Sequence, residues 1–172
     1  MKEIKGNVFD FIEDPDTDSI CITTNGIVGA TGLATMGAGT AGEAARRWLG
    51  VRKNLGNGLK VVGNVPFVIG IINKEGMFIN PKKENFQDIL DKNYKCLIWS
   101  FPTKDDFRNN SILPLIQKSA VYLSQNADKL GLKKIVIPRP GCSNGKLSWA
   151  DVKPAIEPLL DDRFVIVSLE DV

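Results

Sequence analysis

Eighteen residues from Asn25 to Gly42, NGIVGATGLATMGAGTAG, carry the most legible chemistry of this chain. They hold six of its sixteen glycines. No charged residue occurs from Ser19 through Gly42, although the chain is otherwise one-quarter charged. An apolar segment, Ile20 to Thr24, lies directly before the run. A helix opening follows it, where Thr40 and Glu43 form the T-x-x-E of a capping box ahead of Ala44, Ala45, Arg46, Arg47 and Trp48. Strand, glycine loop and helix N-terminus together present free backbone N–H groups to an anion. Glycine lets the main chain approach a ligand closely and take positive φ. The stretch is therefore expected to wrap the diphosphate of a nucleotide-like ligand. A long surface loop built on turn chemistry would show the same composition.

What the chain lacks narrows the reactive groups further. It contains no histidine, which removes Ser-His-Asp and Cys-His nucleophile systems, HExxH metal sites and histidine bases together. Catalysis here must use lysine, carboxylates, backbone dipoles or the substrate itself. Cys21, Cys96 and Cys142 are widely spaced and form no CxxC pair, so neither a zinc knuckle nor a redox dithiol is suggested, and no metal site is expected. An odd cysteine count and a start, MKEIKGNVF, without an apolar core suit a reducing cytoplasm. The formal charge of +2 gives no broad basic patch for nucleic acid. The uncharged run is too rich in glycine and threonine to span a bilayer, so no membrane contact is expected. A length of 172 residues suits one domain.

The elements that must position these residues alternate. Strands are expected at Lys2 to Phe9, Ser19 to Thr24, Lys60 to Val62, Phe67 to Asn73, Met77 to Ile79, Lys95 to Phe101, Lys134 to Pro138 and Phe164 to Leu169. Helices are expected from about Thr40 to Leu49, with Gly50 as C-cap, and from Ser111 to Leu130, closed by Gly131. A third runs from about Ser148 to Leu160, starting late or bending at Pro154, and 82–93 has room for a short surface helix. Arg52 to Asn57 reads as a basic turn. This interleaving defines an α/β class with a mixed sheet. Ligands in such folds sit at the carboxyl ends of strands. Three loops, 25–42, 102–110 and 139–148, leave strand ends and are expected to converge on one crevice.

Two common phosphate motifs fail on detail. Gly37 to Gly42 matches G-x-G-x-x-G, but the loop before it is too long and no acid follows near Leu59 to Val62. Gly141 to Lys146 is one residue short of a P-loop and lacks the following Ser or Thr. Taken in order, however, GNVF, ITTNG, MGAGTAG, SFPTK and IPRPGCSNGKLSW running on to DV make the chain resemble a macrodomain, the ADP-ribose-binding α/β module, over nearly its full length. The SFPTK and IPRPGCSNGKLSW segments look most like the branch that contains the DarG antitoxin, and are also similar to the terminal ADP-ribose glycohydrolase. Both remove ADP-ribose from macromolecules.

The resemblance implies a three-layer α/β/α macrodomain over residues 1–172, with a mixed central sheet, no cofactor, a monomeric state and a cytoplasmic location. Its partner would be ADP-ribose or an ADP-ribosylated macromolecule, including modified nucleic acid. Asn7 stands where macrodomains usually place an aspartate on the adenine amino group, and an amide oxygen accepts that bond more weakly. Val8 would offer its backbone beside the adenine, and Asn25 would face the distal ribose. Met36, Gly37, Ala38, Gly39, Thr40 and Ala41 match the loop around the diphosphate. Gly141, Cys142, Ser143, Asn144 and Gly145 match the second phosphate and ribose loop, with Ser143 in place of the usual glycine. Lys104 matches the lysine essential to glycohydrolase activity in the DarG-like branch. Its amine can attack the anomeric carbon of the distal ribose when deprotonated. Gly145 stands where the glycohydrolase has an aspartate. The resemblance thus implies a hydrolase with Lys104 as nucleophile; ADP-ribose 1″-phosphate phosphatase action and a non-catalytic reader are the alternatives. The Trp149 ring and the Cys142 side chain read as packing groups, and Arg139 as a brace for the loops or a solvated residue.

Overall fold

Alternating side chains on the strands divide the molecule into layers. The computed structural model describes residues 1–172. In β2 (Ser19–Thr24), Ile20 and Ile22 join one buried cluster and Cys21 joins another on the opposite face. The first cluster is closed by a 3-10 helix, Val8–Glu13, and by α1 (Gly39–Arg47) and α2 (Val51–Val62). The second is closed by α3 (Phe86–Leu90), α4 (Leu113–Leu130) and α5 (Trp149–Ile156). Between them lies one seven-stranded sheet, made by β1 (Lys2–Lys5), β2, β3 (Val68–Ile72), β4 (Phe78–Ile79), β5 (Cys96–Pro102), β6 (Ile135–Pro138) and β7 (Phe164–Ser168). The strand order is β1-β7-β6-β2-β5-β3-β4. The three-layer α/β/α arrangement expected from the sequence is the one found.

Five strands, β1, β7, β6, β2 and β5, run parallel; β3 and β4 are antiparallel to their neighbours. The sheet is mixed, and its parallel part is covered on both faces, which explains the near-continuous apolar strands. All seven residues of β5 are buried. Each fully buried Ile or Leu here, such as Ile20, Ile98 and Leu123, stabilises the fold by about 1.5–3 kcal/mol. No helix is long and apolar enough to cross a membrane.

Several local expectations are corrected. β1 stops at Lys5 rather than Phe9, because Asn7 caps a 3-10 turn: its Oδ1 accepts the Phe9 N–H at 3.1 Å. Arg52 to Asn57 and Lys60 to Val62 are neither turn nor strand but parts of α2. The capping box does not form. Ala38 is the N-cap of α1 with no side-chain bond, Thr40 binds β2 instead, and Glu43 pairs with Arg47. Trp48 ends α1, and Gly50 (φ 91) starts α2. α5 starts early, at Trp149, because Ser148 caps the Ala150 N–H at 3.1 Å; Pro154 lies inside it.

Candidate functional site

Because β1, β2, β5, β6 and β7 are parallel, their carboxyl ends share one edge of the sheet. Asn7 and Val8 follow β1, the 139–148 loop follows β6, the glycine run follows β2, and Lys104 follows β5. The strand order sets these groups out in that sequence across the edge. From β1 to β5 are four inter-strand steps, about 19 Å at the usual spacing.

The glycine run folds on itself before it reaches the edge. Val28 and Ala34 bridge antiparallel, and Gly29 N–H donates to Leu33 O at 2.9 Å. α2 grips this hairpin: Arg52 Nε donates to Ala34 O at 3.0 Å, and a Cβ on Gly56 would lie 2.2 Å from Gly32 O. Asn25 fixes the start, its Nδ2 donating to Thr35 O and its Oδ1 accepting the Ile27 N–H, both at 3.0 Å. Met36 is buried in the core, which leaves Gly37, Ala38 and Gly39 exposed at the crevice. Thr40 Oγ1 accepts the Thr23 N–H at 3.3 Å and lies 2.9 Å from Thr23 Oγ1, which ties the start of α1 to β2. The main-chain N–H groups of Gly37, Ala38, Gly39, Thr40 and Ala41 find no acceptor within the chain.

The second loop is built over Ser111. Its hydroxyl would lie 2.0 Å from a Cβ on Gly145, and Ser111 N–H donates to Gly145 O at 2.9 Å. Gly141 has φ 76, and a Cβ there would meet Ile116 at 2.7 Å. Leu147 N–H returns to Gly141 O at 2.9 Å, which curls 141–147 into a cup. The N–H groups of Gly141, Cys142, Ser143, Asn144 and Gly145 also lack an acceptor in the chain. The two loops touch, since a Cβ on Gly39 would sit 3.1 Å from Asn144 Nδ2. Two rows of unpartnered main-chain donors therefore lie side by side at this edge, an arrangement suited to binding anions without side-chain charge.

Lys104 reaches into this corner from β5. Its Nζ donates to Asn144 O at 3.1 Å, so the amine lies against the second loop. No carboxylate pairs with it. Asp106 is held by Arg108, whose hydrogen bonds keep its carboxyl down at about 2. Sequence reading missed Asn64, which sits between α2 and β3; its Nδ2 donates to Lys104 O and to Asp105 Oδ1, both at 3.0 Å. Nothing local in the sequence marks that contact, which spans forty residues.

Asn7 and Val8 occupy the β1 end of the edge. The Asn7 amide oxygen is engaged by its own 3-10 turn, and the Val8 side chain is buried. The Cys142 thiol is pushed up to about 11 by burial and bonds to Pro140 O, so it stays protonated at neutral pH. Trp149 Nε1 donates to Glu3 Oε1 at 2.7 Å, and Arg139 stacks over its ring at 5.2 Å. Arg139 thus braces the end of β6 against Glu3 and Trp149. An apolar groove of about 640 Å³ lined by Val62, Phe86, Trp99 and Tyr122 contains none of the crevice residues.

The fold is like that of solved DarG macrodomains. The chain superposes on Thermosipho africanus DarTG in complex with ADP-ribose with a TM-score of 0.73 and 19% identity, covering 99% of this chain and 42% of that one. It matches the macrodomain of Mycobacterium tuberculosis DarG with a TM-score of 0.66 and 24% identity, over 96% and 95% of the two chains. In sequence, 71 residues are 31% identical to a Thermosipho africanus DNA ADP-ribosyl transferase–DNA ADP-ribosyl glycohydrolase fusion protein. That match covers 41% of this chain and 18% of the fusion protein. No family model matches the chain.

Proposed function

We propose that the chain binds ADP-ribose and hydrolyses its bond to a modified macromolecule, with Lys104 as nucleophile. The observation that carries this function is the meeting of two rows of unpaired amides, 37–41 and 141–145, with one amine, Lys104 Nζ, which donates to Asn144 O at 3.1 Å. The amides suit a diphosphate. The strand order would then lay adenine toward Asn7 and Val8 and the distal ribose toward Asn25 and Lys104. The likeness to a DarTG solved with ADP-ribose supports the ligand. The relatives' names support DNA as one carrier.

The chemistry follows from the side chain. The uncharged amine donates its lone pair to C1″ of the distal ribose, and the bond from C1″ to the carrier breaks. The carrier atom takes that electron pair and a proton. Water then adds at C1″, the C–N bond breaks, and ADP-ribose leaves with the amine restored. The net change is one water consumed for one ADP-ribosyl bond cleaved.

Lys104→Ala is expected to lower release of ADP-ribose from modified DNA or protein at least roughly a thousandfold. ADP-ribose affinity, measured by calorimetry, stays within about threefold. A mutant that still turns over removes the lysine from the mechanism. If neither protein turns over any ADP-ribosyl substrate while both bind ADP-ribose, the domain is a reader.

A further inference from the structure

We infer that Asn64 is a positioning residue that fixes Lys104 for attack, an inference that rests on the function proposed above. Asn64 follows α2 and the left-handed Gly63 (φ 81), far from Lys104 in sequence. Its Nδ2 meets two oxygens, Lys104 O and Asp105 Oδ1. Turning the amide over would set oxygen against oxygen, so the nitrogen must face the Lys104 segment. The other end of the amide, Oδ1, is buried without a partner. A buried acceptor left unpaired costs stability, so the side chain is oriented by its nitrogen alone.

A third segment of the chain joins this knot. Gly26 N–H donates to Asp105 O at 3.0 Å. A Cβ on Gly26 would lie 3.0 Å from both Asn64 Nδ2 and Asp105 O, so a methyl there would crowd the three segments and push its neighbours aside. Asn64 thereby couples the first ligand loop to the residue that would do the chemistry. Lys104 is held at its carbonyl by Asn64 and at its amine by Asn144 O. A free lysine chain samples many rotamers. Anchored at both ends, it keeps its amine beside one point of the crevice. A displacement of about 1 Å at a reacting group costs roughly a hundredfold in rate.

Asn64→Ala is expected to lower kcat about 10- to 100-fold while ADP-ribose affinity and KM change little. Asn54→Ala is the control. Asn54 Nδ2 also makes two hydrogen bonds, to Ile69 O and Asn80 Oδ1, but lies outside the crevice. It is expected to lower stability comparably and leave kcat unchanged. Gly26→Ala, whose methyl would crowd both Asn64 Nδ2 and Asp105 O, is expected to reproduce the kcat loss. Hydrogen exchange of the Gly26 amide gives a readout independent of turnover: it speeds up in Asn64→Ala and stays slow in Asn54→Ala. Wild-type kcat in Asn64→Ala, an equal kcat loss in Asn54→Ala, or unchanged Gly26 exchange would each overturn the inference. If the wild-type protein hydrolyses nothing, the proposed function falls, and Gly26 exchange still decides whether Asn64 orders the segment.

Discussion

A methyl group at position 145 has no room: it would meet the Ser111 hydroxyl at 2.0 Å and Gly141 O at 2.5 Å. Gly145→Ala is expected to destabilise the fold by about 1–3 kcal/mol, read by chemical denaturation, and to weaken ADP-ribose binding because the cup of 141–147 must open. Conformational freedom is not the cause, since Gly145 does not have positive φ; the constraint is space. At this scale the sequence was informative where chemistry is carried by residue type. Missing histidine and two glycine loops pointed to backbone recognition, and the unpaired amides of 37–41 and 141–145 fit that expectation. Lys104 was legible only through its resemblance to a family, because a lysine after a strand is an ordinary surface residue. Asn64 was not legible at all. Its partners come from a loop forty residues away, and no spacing rule encodes such a contact.

Among the elements, α2 shows why part of the fold was hidden. Gly56, Gly58 and the pair Val61-Val62 argue against a helix by propensity. Tertiary packing overrides that preference. Gly56 allows α2 to lie against the Gly32 carbonyl, and Gly58 makes room for Phe67, whose ring would meet a Cβ at 2.0 Å. The glycines thus record two close approaches rather than a break. The long α4, with Gly131 (φ 61) at its end, needed no such context, and its apolar spacing was sufficient. Joined elements also carry the pH response. Glu3 of β1 accepts from Lys153 and Trp149 of α5 and lies near Arg139. The hydrogen bond from Lys153 leads in lowering its pKa below the ordinary 4.5, with Trp149 and the two cations adding to it against partial burial. A depressed carboxylate stabilises the fold above its unfolded pKa, and that contribution is lost as pH falls through the folded value. Stability is therefore expected to drop below pH 4.5. Glu3→Gln should be less stable at neutral pH and lose less on acidification, measured by thermal melts across that range.

For the molecule as a whole, the sheet order is what brings scattered loops to one edge. Interleaved apolar runs in the sequence established an α/β class, but not which strands are neighbours, since pairing depends on contacts remote along the chain. A ligand that binds only the folded crevice must raise the melting temperature. At ADP-ribose concentrations a hundred times Kd, stabilisation of about 2.7 kcal/mol is expected, or a shift of roughly 5–10 °C by scanning fluorimetry for a chain of this size. Absence of any shift would count against the proposed ligand.

The pairing of β1 with β7 also sets a timetable for folding. Lys2 aligns with Val165 and Lys5 with Ser168, so β1 must wait for all the other strands of the sheet to be made before it finds its hydrogen-bonding neighbour. Contacts of such sequence separation slow folding, because loop-closure entropy is spent before any stabilisation returns. Until then the edge of β7 is uncovered, and an exposed parallel edge is a template for pairing with other chains. The β1 end of the crevice, with Asn7 and Val8, thus depends on a contact between the two most distant strands of the sheet along the chain.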